Sequence, residues 1–149
     1  QTLLMADLDH FKSINDTYGH PIGDLVIMEF ANIMNQNQRS EDVSCRYGGE
    51  EFVMLLNCNL TQALNIAERI RVSAERARVT TPEGEWLDFT VSIGLHPVDS
   101  ANASLEFALA QADKALYTAK RSGRNRVISS TQVASVQCSI KDNEQQKCA

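Results

Sequence analysis

Two hydrophobic periods alternate along this chain. Leu3–Leu8 is a short apolar run that closes on Asp7 and Asp9 and reads as a strand. Residues 9–20 are polar, end in Tyr18-Gly19-His20-Pro21, and are expected to form a loop. From Pro21 to Asn37 the apolar positions Ile22, Leu25, Met28, Phe30, Ala31 and Met34 cover a broad face, which predicts a helix buried against a sheet, with proline in its first turn. Strands are expected on either side of Gly48-Gly49: Cys45-Arg46-Tyr47 leads in and Phe52–Leu56 leads out, a hairpin signal. A second helix is predicted from Thr61 as N-cap, with Ala63, Ile66, Ala67 and Ile70 at helical spacing. Thr80–Gly84 reads as a turn and Trp86–Leu95 as a strand. Ser104 caps a third helix whose stripe is Leu105, Ala108, Leu109, Ala112, Leu116 and Ala119, and Gly123 stops it. Arg126–Ser129 is a short last strand, and the polar residues 131–149 are expected to be a flexible C-terminal tail.

This order resembles a split β-α-β core with one added helix–strand unit. The expected class is α/β (α+β), with a central, mostly antiparallel sheet flanked by helices. At 149 residues, 43% hydrophobic and 22% charged, the chain suits one globular domain. A net charge of −5 argues against nucleic acid as a partner, so an anionic ligand would need a local cluster of cations. No apolar run approaches ~18 residues, so this segment is expected to make no membrane contact. Cys45, Cys58, Cys138 and Cys148 lack zinc spacing; with Cys45 and Cys58 in expected strands they read as reduced thiols, buried in those two cases, of a cytoplasmic protein. The chain enters a strand almost at Gln1, so it is expected to be a fragment of a longer protein.

The chemistry concentrates in carboxylates. Gly48-Gly49-Glu50-Glu51-Phe52 puts two acids beside a tight turn, and the first strand ends on Asp7-Leu8-Asp9. Alternate strand residues share a face, so Asp7 and Asp9 are expected to point one way and Leu8 toward the core. Neighbouring strands lie roughly 4.8 Å apart, close enough for acids on both to reach one hard cation. His10 and His96 read as structural, and three histidines without paired spacing argue against a histidine metal site.

Asp9-His10-Phe11-Lys12-Ser13-Ile14-Asn15-Asp16-Thr17-Tyr18-Gly19-His20-Pro21-Ile22-Gly23-Asp24, the Gly48–Phe52 hairpin, and Ala115–Asn125 together resemble the GGDEF family of diguanylate cyclases. The resemblance covers about residues 3–129, and glutamate is an accepted variant at the third motif position. It implies a ferredoxin/palm-like nucleotidyl cyclase core over 1–130 that condenses two GTP into cyclic di-GMP with loss of pyrophosphate. By resemblance Asp7, the Leu8 carbonyl and Glu50 hold magnesium, with manganese as the alternative. Glu50 takes the base or metal-bound-base role, and Glu51 helps hold a second ion. Lys12, Lys120 and Arg124 match phosphate contacts, with Lys12 stabilising charge that develops in the transition state. Asn15 and Asp24 match the guanine-reading residues, and His20 lies in the same loop. Arg39 and Asp42 match the Arg-x-x-Asp product-inhibition motif, and Arg69 a further contact to bound cyclic di-GMP.

Because each product needs two GTP molecules, the resemblance also implies a homodimer with facing sites. The family's usual helix before the first strand is absent from these residues. The missing N-terminal part is expected to carry a sensor, and an inner-membrane anchor through it is an option. Two rival readings are a non-catalytic module that binds GTP or cyclic di-GMP, and another nucleotidyl cyclase or polymerase-like palm. The intact Asp7, Lys12, Asn15, Asp24, Glu50 and Glu51 speak against the first, and guanine selectivity would separate the second.

Overall fold

Thr2–Leu8 forms β1, and all seven residues are buried. A strand buried on both faces belongs in the middle of a sheet that carries helices on each side. In the computed structural model, which describes residues 1–99 and 104–148, β1 holds that place. After β1 come α1 (Phe11–Tyr18), α2 (His20–Asn37), β2 (Val43–Arg46), β3 (Glu51–Leu56) and α3 (Leu60–Arg76). A small hairpin follows, β4 (Val79–Thr80) with β5 (Trp86–Leu87), then β6 (Val91–Pro97), α4 (Leu105–Arg121), β7 (Val127–Ser129) and α5 (Val133–Cys148). The main sheet has the order β2-β3-β1-β6-β7. Its pairs are antiparallel except β6–β7, which is parallel, as expected for the mixed α/β class.

The period of two sorts β1 between two cores. Leu4, Ala6 and Leu8 face a large cluster with Phe52, Met54 and Leu56 of β3, Phe30 and Met34 of α2, and Ile66 and Ile70 of α3. Phe30 meets Phe52 edge-on at 5.0 Å. Leu3 and Met5 face the other way, against Val53 of β3 and Ala108, Ala112 and Leu116 of α4. Each fully buried leucine here contributes about 1.5–3 kcal/mol, so this division fixes the register of the strand that delivers Asp7.

Five expectations are corrected. Residues 9–20 are not a loop: α1 occupies most of them, because Phe11 and Ile14 bury one side of an otherwise polar helix of about two turns. The second helix is capped two residues earlier, by the Asn59 side chain accepting from the Gln62 amide, rather than by Thr61. Trp86–Leu95 is two strands, since the chain breaks after Leu87 and re-enters the main sheet at Val91. The segment expected as a flexible tail continues as a 3-10 turn at Ser130–Gln132 and then α5, seated by Val133 and Val136 against Ala115, Ala119 and Ile128; residue 149 lies outside the described residues. Cys45 is exposed rather than buried, because β2 is the sheet edge, and Cys58 lies past the end of β3. Both are free thiols, as is Cys138, whereas the Cys148 side chain lies outside the described residues. Ser104 caps α4 as expected, accepting from the Phe107 amide.

Candidate active site

The end of β1, the β2–β3 hairpin and the α1–α2 junction converge at one end of the sheet. Asp7 stands opposite Glu51 of β3 and Ser92 of β6. Directly paired residues share a face, so Asp7 and Glu51 lie together on the α4 side of the sheet. There Lys120 Nζ is 2.9 Å from Asp7 Oδ2. Burial pushes the Asp7 carboxyl up to about 6, the charges of Glu50 and Glu51 push the same way, and Lys120 opposes them.

Glu50 and Glu51 diverge. Glu50 lines a cavity of about 590 Å³ together with Lys12, Asn15, His20, Asp24 and Arg46. Glu51 instead lines a second hollow of about 680 Å³ with Met5, Tyr47, Leu105 and Leu109. The first cavity gathers five of the residues singled out in the sequence. Helix spacing explains this: Lys12 and Asn15 are three apart on α1, with Phe11 and Ile14 turned inward, and His20 and Asp24 are four apart on the first turns of α2. Asn15 Oδ1 is buried and has no hydrogen-bond partner. Such an acceptor is costly unless a ligand satisfies it. Gly23 of α2 makes room for it, because a Cβ there would run into Asn15 Oδ1 and come within 3.2 Å of Phe11 Cζ.

Arg46 lines this cavity, as do Phe11 and Asp16, and the sequence reading gave none of the three a role there. Arg46 Nε donates to the Gly48 and Gly49 carbonyls at 3.2 and 3.1 Å, and its Nη2 to Gly49 at 2.6 Å. A long cation two residues before Gly-Gly was the available signal. The Glu51 carbonyl accepts from the Tyr47 and Gly48 amides and closes the turn from the other side. Leu8 is buried, and its amide donates to the Glu50 carbonyl at 3.2 Å, tying β1 to the turn. Asp9 does not join Asp7 at the site mouth. Its carboxylate is buried and spent on Thr90 and Ser92 of the neighbouring strand segment and on the Asn125 amide.

The expected metal set of Asp7, Glu50 and Glu51 is not gathered: among the described residues no three His, Cys, Asp or Glu side chains are close enough to hold an ion. Lys120 stands beside Asp7, and the two glutamates lie on different sides. The donor chemistry nevertheless fits a hard divalent cation. The side-chain donors at this end of the sheet are carboxylate oxygens, and Asp7, raised chiefly by burial, is raised further by the charges of Glu50 and Glu51, which a cation would relieve. Arg124 is exposed just beyond α4, one turn from Lys120.

At the far end of α2 the Asp42 carboxylate is buried and braces its own turn. It accepts from the Arg39 amide at 2.9 Å and the Asn57 amide at 2.8 Å. The Arg39 side chain is exposed. Arg69 Nε donates to Asn37 Oδ1 at 3.2 Å, which puts Arg69 two residues from Arg39 in the chain it touches. Of the three residues expected at a second site, Arg39 and Arg69 thus lie near the same end of α2, while the Asp42 carboxylate is buried and taken by the turn.

The family model "Diguanylate cyclase, GGDEF domain" matches residues 1–126. Diguanylate cyclase A of Treponema denticola is 47% identical over 130 residues, covering 85% of this chain and 34% of that protein. Response regulator PleD of Caulobacter vibrioides is 46% identical over 127 residues, covering 84% of this chain and 28% of its own length. The chain thus spans about a third of the length of these relatives. The GGDEF domain of DgcB from Caulobacter crescentus, in complex with c-di-GMP, superposes with a TM-score of 0.83 at 34% identity, over 87% of this chain and 77% of that one. The active GGEEF domain of a diguanylate cyclase from Vibrio cholerae gives 0.77 at 30% identity, over 86% and 81%.

Proposed function

The chain belongs to the diguanylate cyclase GGDEF domain family, and from that premise we propose that it condenses two GTP molecules into cyclic di-GMP. The observation that carries this reading is the convergence of Lys12, Asn15, Asp24 and Glu50 on one cavity. Asn15 and Asp24 read the guanine: its N–H donors meet the Asp24 carboxylate, and the unpartnered Asn15 Oδ1 takes a further donor. Adenine presents a different edge and leaves these acceptors unpaired. His20 lines the same cavity and touches the nucleoside.

Lys12 faces the transferring phosphate, while Lys120 and Arg124 hold the outer phosphates. Asp7, the Leu8 carbonyl, Glu50 and Glu51 would hold magnesium, or manganese in its place. When bound, the ion neutralises phosphate charge and eases ionisation of the 3′-hydroxyl. Glu50 takes the proton of that hydroxyl. The 3′-oxygen of one GTP then forms a bond to the α-phosphorus of the other, the α–β bridging bond breaks, and pyrophosphate leaves. A second, symmetric transfer closes the ring, so two copies of the chain must face each other.

Residues 1–130 form the catalytic unit, and Arg39, Asp42 and Arg69 bind the product and inhibit. A neighbour of known structure carries c-di-GMP, and another is held with its activator SiaC, which supports a regulated domain of this kind. Among the described residues no helix is long and apolar enough to cross a membrane; the GTP substrate points to the cytoplasm. Turnover of GTP but not ATP, with selectivity lost in Asp24→Ala, tests the reading; equal use of both nucleotides contradicts it.

A further inference from the structure

Three successive residues beyond α4 have positive φ: Gly123 (127°), Arg124 (63°) and Asn125 (46°). Two of them carry side chains, and an arginine enters the left-handed region only where its surroundings hold it there. Those surroundings are explicit. The Arg124 amide donates to the Ala119 carbonyl at 3.0 Å, and Arg126 Nε to the Arg124 carbonyl at 3.0 Å. The Asn125 amide donates to Asp9 Oδ2 at 3.0 Å. Asn125 Oδ1 accepts from Arg71 Nη1 at 2.8 Å, and its Nδ2 donates to Glu75 Oε1 at 3.1 Å.

Asp9 is 4% exposed, and it has no oxygen to spare for a substrate. Its Oδ2 also accepts from Thr90 Oγ1 and its Oδ1 from Ser92 Oγ, each at 2.7 Å, while its own amide bonds the Thr90 carbonyl at 2.9 Å. Arg71 is itself clasped by Glu68 at 2.7 Å and Glu75 at 2.8 Å, so the second tether is rigid too.

We propose that Asp9 is a positioning residue: its buried carboxylate, seconded by Arg71, clamps Asn125 and so fixes the left-handed path that aims Arg124 at the triphosphate. The clamp joins the end of β1, two residues past Asp7, to the loop that follows Lys120. It thereby sets the acidic and the basic halves of the site at one spacing. This inference rests on the reading of Arg124 as a phosphate contact.

The test is a double-mutant cycle on GTP affinity, measured by calorimetry on the full chain with magnesium. Arg124→Ala and Asp9→Ala are each expected to weaken GTP about tenfold, the size of one lost charge-assisted hydrogen bond. Together they are expected to be no worse than Arg124→Ala alone, because without the guanidinium nothing is left to aim. Asp9→Asn is expected to recover most of the affinity, since its remaining oxygen can face the Asn125 amide while its NH₂ meets the Ser92 hydroxyl. Equal losses from Asp9→Ala in the parent and in the Arg124→Ala background overturn the inference, as does an unchanged affinity in Asp9→Ala. An unchanged affinity in Arg124→Ala overturns the phosphate assignment itself and the inference with it. Where circular dichroism shows Asp9→Ala unfolded, Asn125→Ala takes its place in the cycle, with the same two outcomes.

Discussion

Lys120 Nζ sits 2.9 Å from Asp7 Oδ2, so the acid expected to hold a metal ion already has a cation beside it. The pairing does not cancel the cost of burial, because the Asp7 carboxyl is still pushed up from 3.8 to about 6. Between those values the folded chain binds more protons than the unfolded one. Stability therefore falls as pH rises from about 4 to 6 and stays lowered above that. In metal-free buffer, Asp7→Asn is expected to be more stable than the parent by roughly 1–2 kcal/mol at pH 8, with the difference shrinking toward pH 4. Denaturant midpoints at pH 8, 6 and 4 check this; a difference that does not change with pH contradicts it.

Gly23 separates stability from recognition. Alanine is the better helix former by about 1 kcal/mol, but its Cβ would displace the Asn15 amide. Gly23→Ala is expected to melt within a few degrees of the parent while binding GTP about tenfold more weakly, the size of one lost hydrogen bond to the base. Calorimetry with GTP and ATP checks it, and unchanged GTP affinity would remove Asn15 from the guanine site.

Arg39 and Asp42 stand in one motif, yet they should fail differently. The Asp42 carboxylate holds two backbone amides in a buried turn, so Asp42→Ala is expected to cost roughly 2–3 kcal/mol of stability. The exposed Arg39 side chain braces nothing in the turn, and Arg39→Ala is expected to change stability by less than about 0.5 kcal/mol. It should relieve inhibition by cyclic di-GMP while leaving the initial rate unchanged. Rate curves with added product decide; equal inhibition in the variant defeats the regulatory assignment.

The sequence was most legible where one residue type has one physical use. Gly48-Gly49 marked the hairpin, Ser104 the start of α4 and Gly123 its end, and the helical spacing of Ala63, Ile66, Ala67 and Ile70 marked α3. It was least legible where tertiary contacts decide. Only Phe11 and Ile14 declare α1, too few for a periodic signal in a polar stretch. The weakly amphipathic α5 is seated by Val133 and Val136 alone among its described apolar side chains that reach a core. Period two correctly put Asp7 and Asp9 on one face, since Asp9 bonds Ser92, the cross-strand partner of Asp7; what it could not show is that the Asp9 carboxylate is used up in a buried hydrogen-bond network. Lys12, Asn15, His20, Asp24 and Glu50 were legible because their motif is long. Arg46 was missed because its work is to hold two carbonyls of a turn.

The most direct measurement incubates the purified chain at high concentration with GTP and magnesium and counts products by chromatography. One cyclic di-GMP for every two GTP consumed, with two pyrophosphates released and nothing from Glu51→Ala, is the expected result. GTP bound but unconsumed would contradict the cyclase assignment and leave a nucleotide-binding module.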